Sequence, residues 1–386
     1  MRAVRRALAA LACIAALLAV SACGPNLRGT VDAERVGVVL ERVAVPYAGR
    51  TPPAALVERL AAFDVVVVGE HHAISEHGRA VADLVAALHP NGLRALLVEY
   101  PQATSWLLDG YARGMLDALD GAARATYGEL LDALRSFNLG LEPAQRVRVY
   151  AIDVNHRPED ALAPLRGLMH QLAFPDVLVD AVDALERGED AEAVFARLAA
   201  ALTADAAVLE TAWGEPRYRI VVDLVDAERR SLPVRAIGNE RQRSNERERV
   251  MHELVERYRE RHDGPTLVNV GAYHAQRTSR DGTVEVWLAE RLGDDAYSLL
   301  VTPTRGELPR GDTIRNIDVL EDSPSNELLR LTVERHGHAL VYVPLDDPLF
   351  HDERVVLTHH SRLDTEPPGR VFDGVLLLGE VRAIRR

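Results

Sequence analysis

The stretch that decides the fold class is Val65-Val66-Val67-Val68-Gly69-Glu70-His71-His72. Its run of β-branched residues has no polar face, which is typical of a strand buried on both sides in a parallel sheet. Apolar residues at helical spacing follow from Ser75 to Leu88, and the run from Leu93 to Val98 repeats the buried pattern. This order of strand, helix and strand predicts a β-α-β unit.

Three further runs extend the predicted sheet along the chain. We expect strands at Val147 to Ile152, Leu232 to Ile237 and Thr266 to Val270, with a helix from Arg241 to Arg261 before the last strand. Strands that alternate with helices favour an α/β fold, in which a mostly parallel sheet is flanked by helices.

The domain organisation follows from these runs. We predict a core domain at residues 51–304, interrupted by a helical insertion at 158–231 that is longer than a crossover needs. This insertion is interpreted as a cap over the crevice, with Trp213 and Tyr218 either lining the crevice or only packing the cap. Residues 305–386 are expected to form a C-terminal α/β extension that packs on the core, with a helix at 326–335 and strands at 339–343 and 371–378.

The N-terminus has the pattern of an export signal. Three arginines precede the apolar run Ala7 to Val20, which is too short to span a bilayer, so residues 1–22 are predicted to be a signal peptide. The sequence Val20-Ser21-Ala22-Cys23 resembles the lipobox of bacterial lipoproteins, in which the cysteine is lipidated; an ordinary cleaved signal is the alternative. We therefore expect residues 23–50 to be a spacer and the protein to be lipid-anchored to a membrane of the cell envelope.

Composition excludes several classes of function. The chain has 386 residues, and its 45 basic and 58 acidic residues give a formal charge of -13, which argues against nucleic acid as a partner. All the basic residues are arginines, so Schiff-base chemistry and lysine-containing phosphate loops are excluded. The only cysteines are Cys13 and Cys23, which makes disulfides, cysteine-rich metal sites and a catalytic thiol implausible.

Polar residues lie at or just after the ends of the predicted strands. Ligands of open parallel sheets bind outside the carboxyl ends of the strands, where neighbouring strands bring such side chains together. Convergent carboxylates and imidazoles shift each other's pKa values and can supply both an acid and a base. The alternative is that each carboxylate only caps the helix that follows it. The candidates are Glu70, His72, Glu99, Asp153, Glu240 and His274.

Other motifs are weaker or absent. No H-E-x-x-H and no G-x-S-x-G occurs, which argues against zincins and α/β-hydrolases, and His72-x-x-x-Glu76-His77 is one residue longer than the inverzincin motif. A divalent metal remains a chemically reasonable alternative. Its ligands would be Glu70, His72, Glu99 and His274.

Several segments together resemble the erythromycin-esterase-like proteins, whose superfamily includes the ChaN-type haem-binding uptake lipoproteins and the TIKI/TraB-type proteases. The segments are VVVVGEHHAISEHGR, ALLVEYPQ, SFNLGLEPAQRVRVYAID with the following VNH, RERVM, VNVGAYHA and VFDGVLLLG, in this order through residues 60–380. One residue separates Glu70 from His72, as in the haem-uptake relatives, whereas two residues separate the corresponding pair in the esterases.

The resemblance implies roles for individual residues. His72 matches the histidine proposed to activate water, Glu70 and Glu99 match acidic motif residues, and His274 matches the late histidine. Arg247 and Met251 match an R-D-x-x-M helix motif, with Glu248 in place of the aspartate. Supporting or substrate-binding residues are then His71, Glu76, Arg79, Asp153, Glu240, Arg247 and Tyr273.

Two functions from different classes remain open. In the first, the protein is a hydrolase of a small-molecule ester or a related bond that needs no cofactor: His72 takes a proton from water, Glu70 and Glu99 orient it, and His274 stabilises or protonates the leaving group. In the second, it is a lipoprotein that binds haem or another iron-bearing ligand through a histidine or Tyr273. A metal-dependent peptidase of the TIKI/TraB type is a further alternative.

Overall fold

The computed structural model of the protein describes residues 32–119, 121–169, 176–278, 283–310, 313–321, 327–352 and 366–384. The predicted signal peptide at 1–22 and Cys23 lie outside these ranges, so the export and lipidation predictions stay predictions. Within the described ranges no helix is both long and apolar enough to cross a membrane.

A nine-stranded sheet forms the centre of the molecule, and it confirms the predicted α/β fold with a mostly parallel sheet. Its strands are β1 (Val45–Tyr47), β2 (Val65–Glu70), β3 (Ala95–Pro101), β4 (Arg148–Asp153), β5 (Thr266–Gly271), β6 (Ala296–Arg310), β7 (Thr313–Asp318), β8 (Leu340–Pro344) and β9 (Gly374–Val381).

The order of the strands brings the predicted site segments side by side. The sheet runs β1-β8-β9-β6-β2-β5-β3-β4, with β7 paired to β6. The six strands from β9 to β4 are parallel, while β1, β7 and β8 pair antiparallel with their neighbours. Strand β5 enters the sheet between β2 and β3, and Glu70 at the end of β2 is in register with Gly271 at the end of β5.

Both faces of the parallel strands are buried, as the valine run predicts. Val65 and Val67 belong to the core on one face, and Val66 and Val68 to the core on the other. Because side chains alternate across a strand, an unbroken apolar run suits a strand with helices on both sides.

Helices cover both faces of the sheet and its edges. They are α1 (Ala33–Val43), α2 (Ala54–Leu60), α3 (Ser75–Leu88), α4 (Ser105–Ala112), α5 (Gly121–Leu139), α6 (Glu159–Met169), α7 (Asp176–Glu186), α8 (Ala191–Ala204), α9 (Ala206–Trp213), α10 (Glu215–Ala236), α11 (Glu240–Arg259), α12 (Leu288–Leu292), α13 (Glu327–His336), α14 (Pro348–Asp352) and α15 (Pro368–Val371).

Helices α6 to α10 fill the region of the predicted insertion and share an apolar core of their own, in which Trp213 and Phe195 are buried. Tyr218 donates a hydrogen bond to the carbonyl of Leu202, 3.0 Å away, within the same group of helices. Trp213 is therefore a packing residue within this group of helices, which was one of its two predicted roles.

The strand predicted at Leu232 to Ile237 is wrong, because residues 232–236 are the last turns of α10. Buried positions along this helix continue at helical spacing into the segment, at Val221, Leu224, Val225, Glu228, Ser231 and Val234. The short apolar run at 232–237 alone suggested a strand, but the buried positions of the whole element repeat at helical spacing, which is why the segment is helical. Glu240 consequently does not follow a strand; it is the exposed first residue of α11.

The predicted spacer at 23–50 differs from the structure where the chain is described. Residues 33–43 form α1, in which Val36 and Leu40 are buried. Asp32 caps its N-terminus, because its side chain accepts hydrogen bonds from two backbone N–H groups of the first turn. Strand β1 then pairs with β8. The amphipathic spacing within this segment is sufficient for a helix that packs on the sheet.

The C-terminal residues continue the same sheet. Strand β9 lies parallel to β6, and β8 pairs antiparallel with β9. The chain then returns to the start of α3, where Ile74 forms a bridge with Ala383. Ala383 and Ile384 thereby contact the loop that follows His72.

Candidate functional site

Glu70 and His72 form a pair at the carboxyl end of β2. The Glu70 side chain is buried, and its Oε1 accepts a 2.8 Å hydrogen bond from His72 Nδ1. The His72 side chain is 54% exposed, so its other edge faces solvent. A histidine whose Nδ1 is held by a buried carboxylate keeps its Nε2 free for substrate or water.

The second oxygen of Glu70 contacts two residues for which the sequence predicted no site role. Glu70 Oε2 lies 3.0 Å from Nε2 of the buried His77 and accepts a 3.1 Å bond from Asn269 Nδ2. His77 and Asn269 also contact each other at 2.9 Å. These contacts orient the carboxylate toward His72.

The turn after His72 has an unusual backbone conformation. Ala73 has a φ of 61°, and among the described residues it is the only non-glycine residue with a positive φ. Its carbonyl accepts a bond from Ile384, and Glu76 accepts bonds from the backbone and side chain of Arg382. Glu76 therefore lies outside the cluster but fastens the C-terminal segment to the loop that carries His72. Such strain is often found near functional sites.

Glu99 connects three of the strand ends. Its Oε2 accepts a 2.6 Å bond from the backbone N–H of Gly271, and its Oε1 accepts a 2.5 Å bond from Arg247. Arg247, on α11, also donates two 2.7 Å bonds to Asp153 at the end of β4. One guanidinium thus bridges two buried carboxylates from neighbouring strands.

His274 lies between two carboxylates. Its Nδ1 is 2.5 Å from Glu248 Oε1, and its Nε2 is 3.2 Å from Glu99 Oε1. Both ring nitrogens therefore donate within the cluster. The expected role of His274 in protonating a leaving group would require one of these bonds to break.

A glycine separates His72 from Glu99. A Cβ placed on Gly271 would lie 2.9 Å from His72 Nε2 and 3.3 Å from Glu99 Oε2. The exposed edge of His72 and the carboxylate of Glu99 thus meet over a position that has no side chain. Glu70, His72, Glu99 and His274 are brought together at one edge of the sheet, with Arg247 and Asp153.

The charges of this cluster shift the pKa values of its members. Burial alone would raise the pKa of Glu70, but the charge of His77 and the bond from His72 hold it well below its usual range. Burial opposes protonation of His72, but the bond and charge of Glu70 raise the pKa of His72 to about 9, with a contribution from Glu99. Water at the exposed edge of the ring screens part of this attraction.

Burial and neighbouring charges also act in opposite directions on the pKa values of His274, Glu99 and Asp153. Burial disfavours the charged form of His274, but Glu99 and Glu248 raise its pKa to about 10. The pKa values of Glu99 and Asp153 are lowered in spite of burial, for Glu99 chiefly by His274 and for Asp153 chiefly by Arg247. At neutral pH these shifts favour ionised Glu70, Glu99 and Asp153. They also favour the protonated forms of His72 and His274.

The remaining predicted residues lie around the cluster. Buried His71 faces Thr302 on β6, 3.2 Å away, and Arg79 pairs with Glu129 on the surface. The ring of Tyr273 stacks on Trp287 with a centroid distance of 5.9 Å. With Glu240 exposed at the start of α11, these contacts place all four outside the hydrogen-bonded cluster.

The arrangement does not fit the metal alternative. No group of three or more His, Cys, Asp or Glu side chains among the described residues is placed to hold a metal ion. The oxygens of Glu70 and Glu99 instead face donors from His72, Asn269, Arg247 and Gly271. Ligands already engaged in such bonds would have to be released before a cation could bind.

Four residues of the cluster had no predicted site role: His77, Glu248, Asn269 and Gly271. All four lie inside the segments that carry the family resemblance. The signal available for Asn269 was a polar residue within the otherwise apolar strand Thr266 to Val270, since a polar side chain in a buried strand needs a partner.

Comparison with known proteins supports the fold. Neither a family model nor a curated protein sequence matches the chain. Among solved structures, a protein from Bacillus cereus covers 92% of this chain and 100% of its own, with a TM-score of 0.66 and 16% identity. A succinoglycan biosynthesis protein covers the same shares, with a TM-score of 0.67 and 13% identity.

A mutant of the erythromycin esterase EreC, in its open conformation, covers 85% of this chain and 93% of its own, with a TM-score of 0.59 and 14% identity. ChaN of Campylobacter jejuni, described with cofacial haem, covers 64% of this chain and 85% of its own, with a TM-score of 0.29 and 12% identity. The chain is thus structurally related to an erythromycin esterase. At these identities the relationship concerns the fold.

Proposed function

We propose that the protein is a hydrolase that cleaves an ester or a related bond of a small molecule with a water activated at His72. The observation that carries this proposal is the Glu70–His72 pair, in which a buried carboxylate holds one edge of a half-exposed imidazole. A fixed imidazole with one free nitrogen at a sheet edge is suited to general base catalysis. The structural relationship to an erythromycin esterase supports this class of reaction.

In the proposed reaction, neutral His72 takes a proton from water at Nε2 while the water oxygen attacks the carbonyl carbon. The bond to the leaving oxygen then breaks, and protonated His72 returns the proton to that oxygen, giving an acid and an alcohol. Glu70 orients the ring and stabilises its charged form. No covalent intermediate with the protein forms, which suits a chain without a serine elbow or a catalytic thiol.

Glu99 is proposed to orient the attacking water, because its Oε2 lies over Gly271 on the same side as His72 Nε2. His274 and Arg247 hold Glu99 in place. This assignment revises the expected role of His274, which we propose to be a positioning residue and not the proton donor.

Hydrolysis of a panel of p-nitrophenyl esters by the purified full-length chain tests the proposal. We expect His72→Ala to lower the rate by about 10² or more, the usual effect of losing a general base. His71→Ala should lower the rate of hydrolysis far less, since His71 faces Thr302 and not the cluster. Thermal melts of both variants check that each remains folded.

Two outcomes would contradict the proposal: equal losses in the two folded variants, or an acyl group that stays attached to the protein. A Soret band in the purified chain would instead favour the haem-binding alternative.

A further inference from the structure

A large cavity lies along the outer side of β4, away from the proposed catalytic cluster. Its volume is about 1270 Å³, and it is bounded by β4, α4, α10 and the end of α11. Neither Glu70, His72, Glu99 nor His274 lines it. Because pockets for small molecules commonly measure about 300–1,000 Å³, this cavity, here named the β4 groove, is large enough for a ligand.

The wall of the β4 groove contains a stack of two tyrosines between two arginines. The rings of Tyr150 and Tyr258 are stacked with a centroid distance of 4.2 Å and an interplanar angle of 16°. The guanidinium of Arg261 lies 5.0 Å from the ring centre of Tyr258, and that of Arg148 lies 5.7 Å from that of Tyr150. Guanidinium groups held on aromatic rings keep a fixed orientation.

Positive charge exceeds negative charge in the groove. Among the described residues that line it, six are arginines and four are carboxylates, although the whole chain carries a charge of -13. Arg257 and Arg261 both pair with the same carboxylate, Asp223, at 3.1 and 3.7 Å. One carboxylate therefore serves two guanidinium groups, which leaves donors for an added anion.

The arginine charges contribute to the pKa shifts of two neighbouring groups, after burial. The pKa of His262 is lowered by burial and then by the charges of Arg148 and Arg261. The pKa of Arg230, which lies beside the groove within reach of Gln102, is lowered by burial and then by Arg257. An anion bound here would oppose the part of each shift that comes from the arginine charges.

The edge of β4 is not free to pair with another strand. The backbone N–H of Val149 donates to Asp109, and that of Ala151 donates to Ser105, both from α4. Because these side chains already satisfy the outward N–H groups, the groove does not fit a peptide that extends the sheet.

We propose that the β4 groove binds a small anionic molecule in which an aromatic or otherwise planar ring carries a carboxylate or phosphate group. Arg257 and Arg261 would bind the anionic group, and the ring would pack against Trp106 and Tyr218, which line the groove. This second site is independent of the proposed hydrolase site.

Fluorescence titration of the full-length chain with 8-anilinonaphthalene-1-sulfonate, an aromatic anion, tests this site. Arg261→Gln and Arg257→Gln should each weaken binding by about tenfold, and added salt should weaken binding to the parent chain. The matched control is Arg50→Gln, which removes an arginine from an exposed pair with Asp83 and should leave the affinity unchanged. Sodium benzoate should displace the probe at lower concentration than inorganic phosphate, because only benzoate supplies the ring.

Equal binding of the neutral probe N-phenyl-1-naphthylamine, or a probe affinity that both folded arginine variants retain, would overturn the proposal. Circular dichroism spectra of the two variants establish that they are folded. His72→Ala should bind the probe as the parent chain does. Loss of hydrolysis and loss of probe binding therefore test the two proposals separately.

Discussion

At the scale of single residues, Glu70 determines the chemistry available to His72. Its carboxylate accepts a bond from His72 on one oxygen and contacts His77 and Asn269 with the other. Because the buried charge stabilises the imidazolium, the pKa of His72 is raised to about 9. A base with a raised pKa is stronger, but less of it is unprotonated at neutral pH.

The pH dependence of hydrolysis tests this relationship. If neutral His72 is the base, kcat/KM should rise with pH up to about 9, because the active form appears as His72 loses its proton. Glu70→Gln removes the charge that raises the pKa of His72, so the ascending limb should move toward the ordinary value of about 6.5.

Glu129→Gln is the matched control, since it only breaks the exposed pair with Arg79 and should leave the profile unchanged. An ascending limb that stays in place in Glu70→Gln would show that another group controls the rate.

Gly271 offers a second test at this scale. Gly271→Ala would place a methyl group 2.9 Å from His72 Nε2, so the ring must move. Displacement of a catalytic group by about 1 Å can cost about 10² in rate, and we expect a loss of this size in kcat with little change in melting temperature. Gly121→Ala is the control, because nothing lies within 4 Å of the added Cβ. Full activity in Gly271→Ala would contradict the proposed position of His72.

At the scale of elements, α10 contacts the segment that follows β4 through a buried charge. Glu228 is fully buried, pairs with Arg235 on the same helix and accepts a 2.9 Å bond from Asn155, which follows β4. Ser231 accepts a 2.8 Å bond from the backbone N–H of Asn155. The last turns of α10 thus hold the segment after Asp153.

Removal of the Glu228 carboxylate should destabilise the protein. Glu228→Ala leaves the charge of Arg235 without its buried partner, and we expect the free energy of unfolding to fall by about 3–5 kcal/mol. In the same helix, Glu215→Ala breaks an exposed pair with Arg219. This substitution should change the free energy of unfolding by no more than about 1 kcal/mol. Urea denaturation of both variants measures the difference, and similar values would mean that the buried pair adds nothing specific.

At the scale of the whole molecule, the sequence of the N-terminal segment predicts where the protein acts. We propose export and lipidation at Cys23, which would tether the folded part through the residues before α1. The acidic character of the chain suits a body that is held near a membrane and not bound flat to anionic lipid.

Membrane fractionation tests this proposal in cells of a bacterium that processes lipoproteins. Cys23→Ala should move the protein out of the membrane fraction, because the lipid on this residue is the anchor that the sequence predicts. Ser21→Ala, which keeps a small residue before the cysteine, should leave the protein in the membrane fraction. Retention of Cys23→Ala in the membrane fraction would contradict the proposal.

The local pattern of the sequence was enough to predict the parallel strands β2 to β5, helices α3 and α11, and the cluster of Glu70, His72, Glu99 and His274. Unbroken β-branched runs mark strands buried on both faces, and parallel strands bring their carboxyl ends to one edge. Proximity in the fold therefore followed from position along each strand, on the condition that the strands are parallel neighbours, which the strand order satisfies.

Other features depended on contacts between distant segments. The identity of residues 232–236 as helix depended on the buried face of α10 as a whole, and the orientation of Glu70 depended on His77 and Asn269 from α3 and β5. The occupation of both nitrogens of His274, and the raised pKa of His72, depended on which carboxylates the fold placed beside them. Charge and burial act through space over a few ångströms, so only the tertiary structure determined these properties.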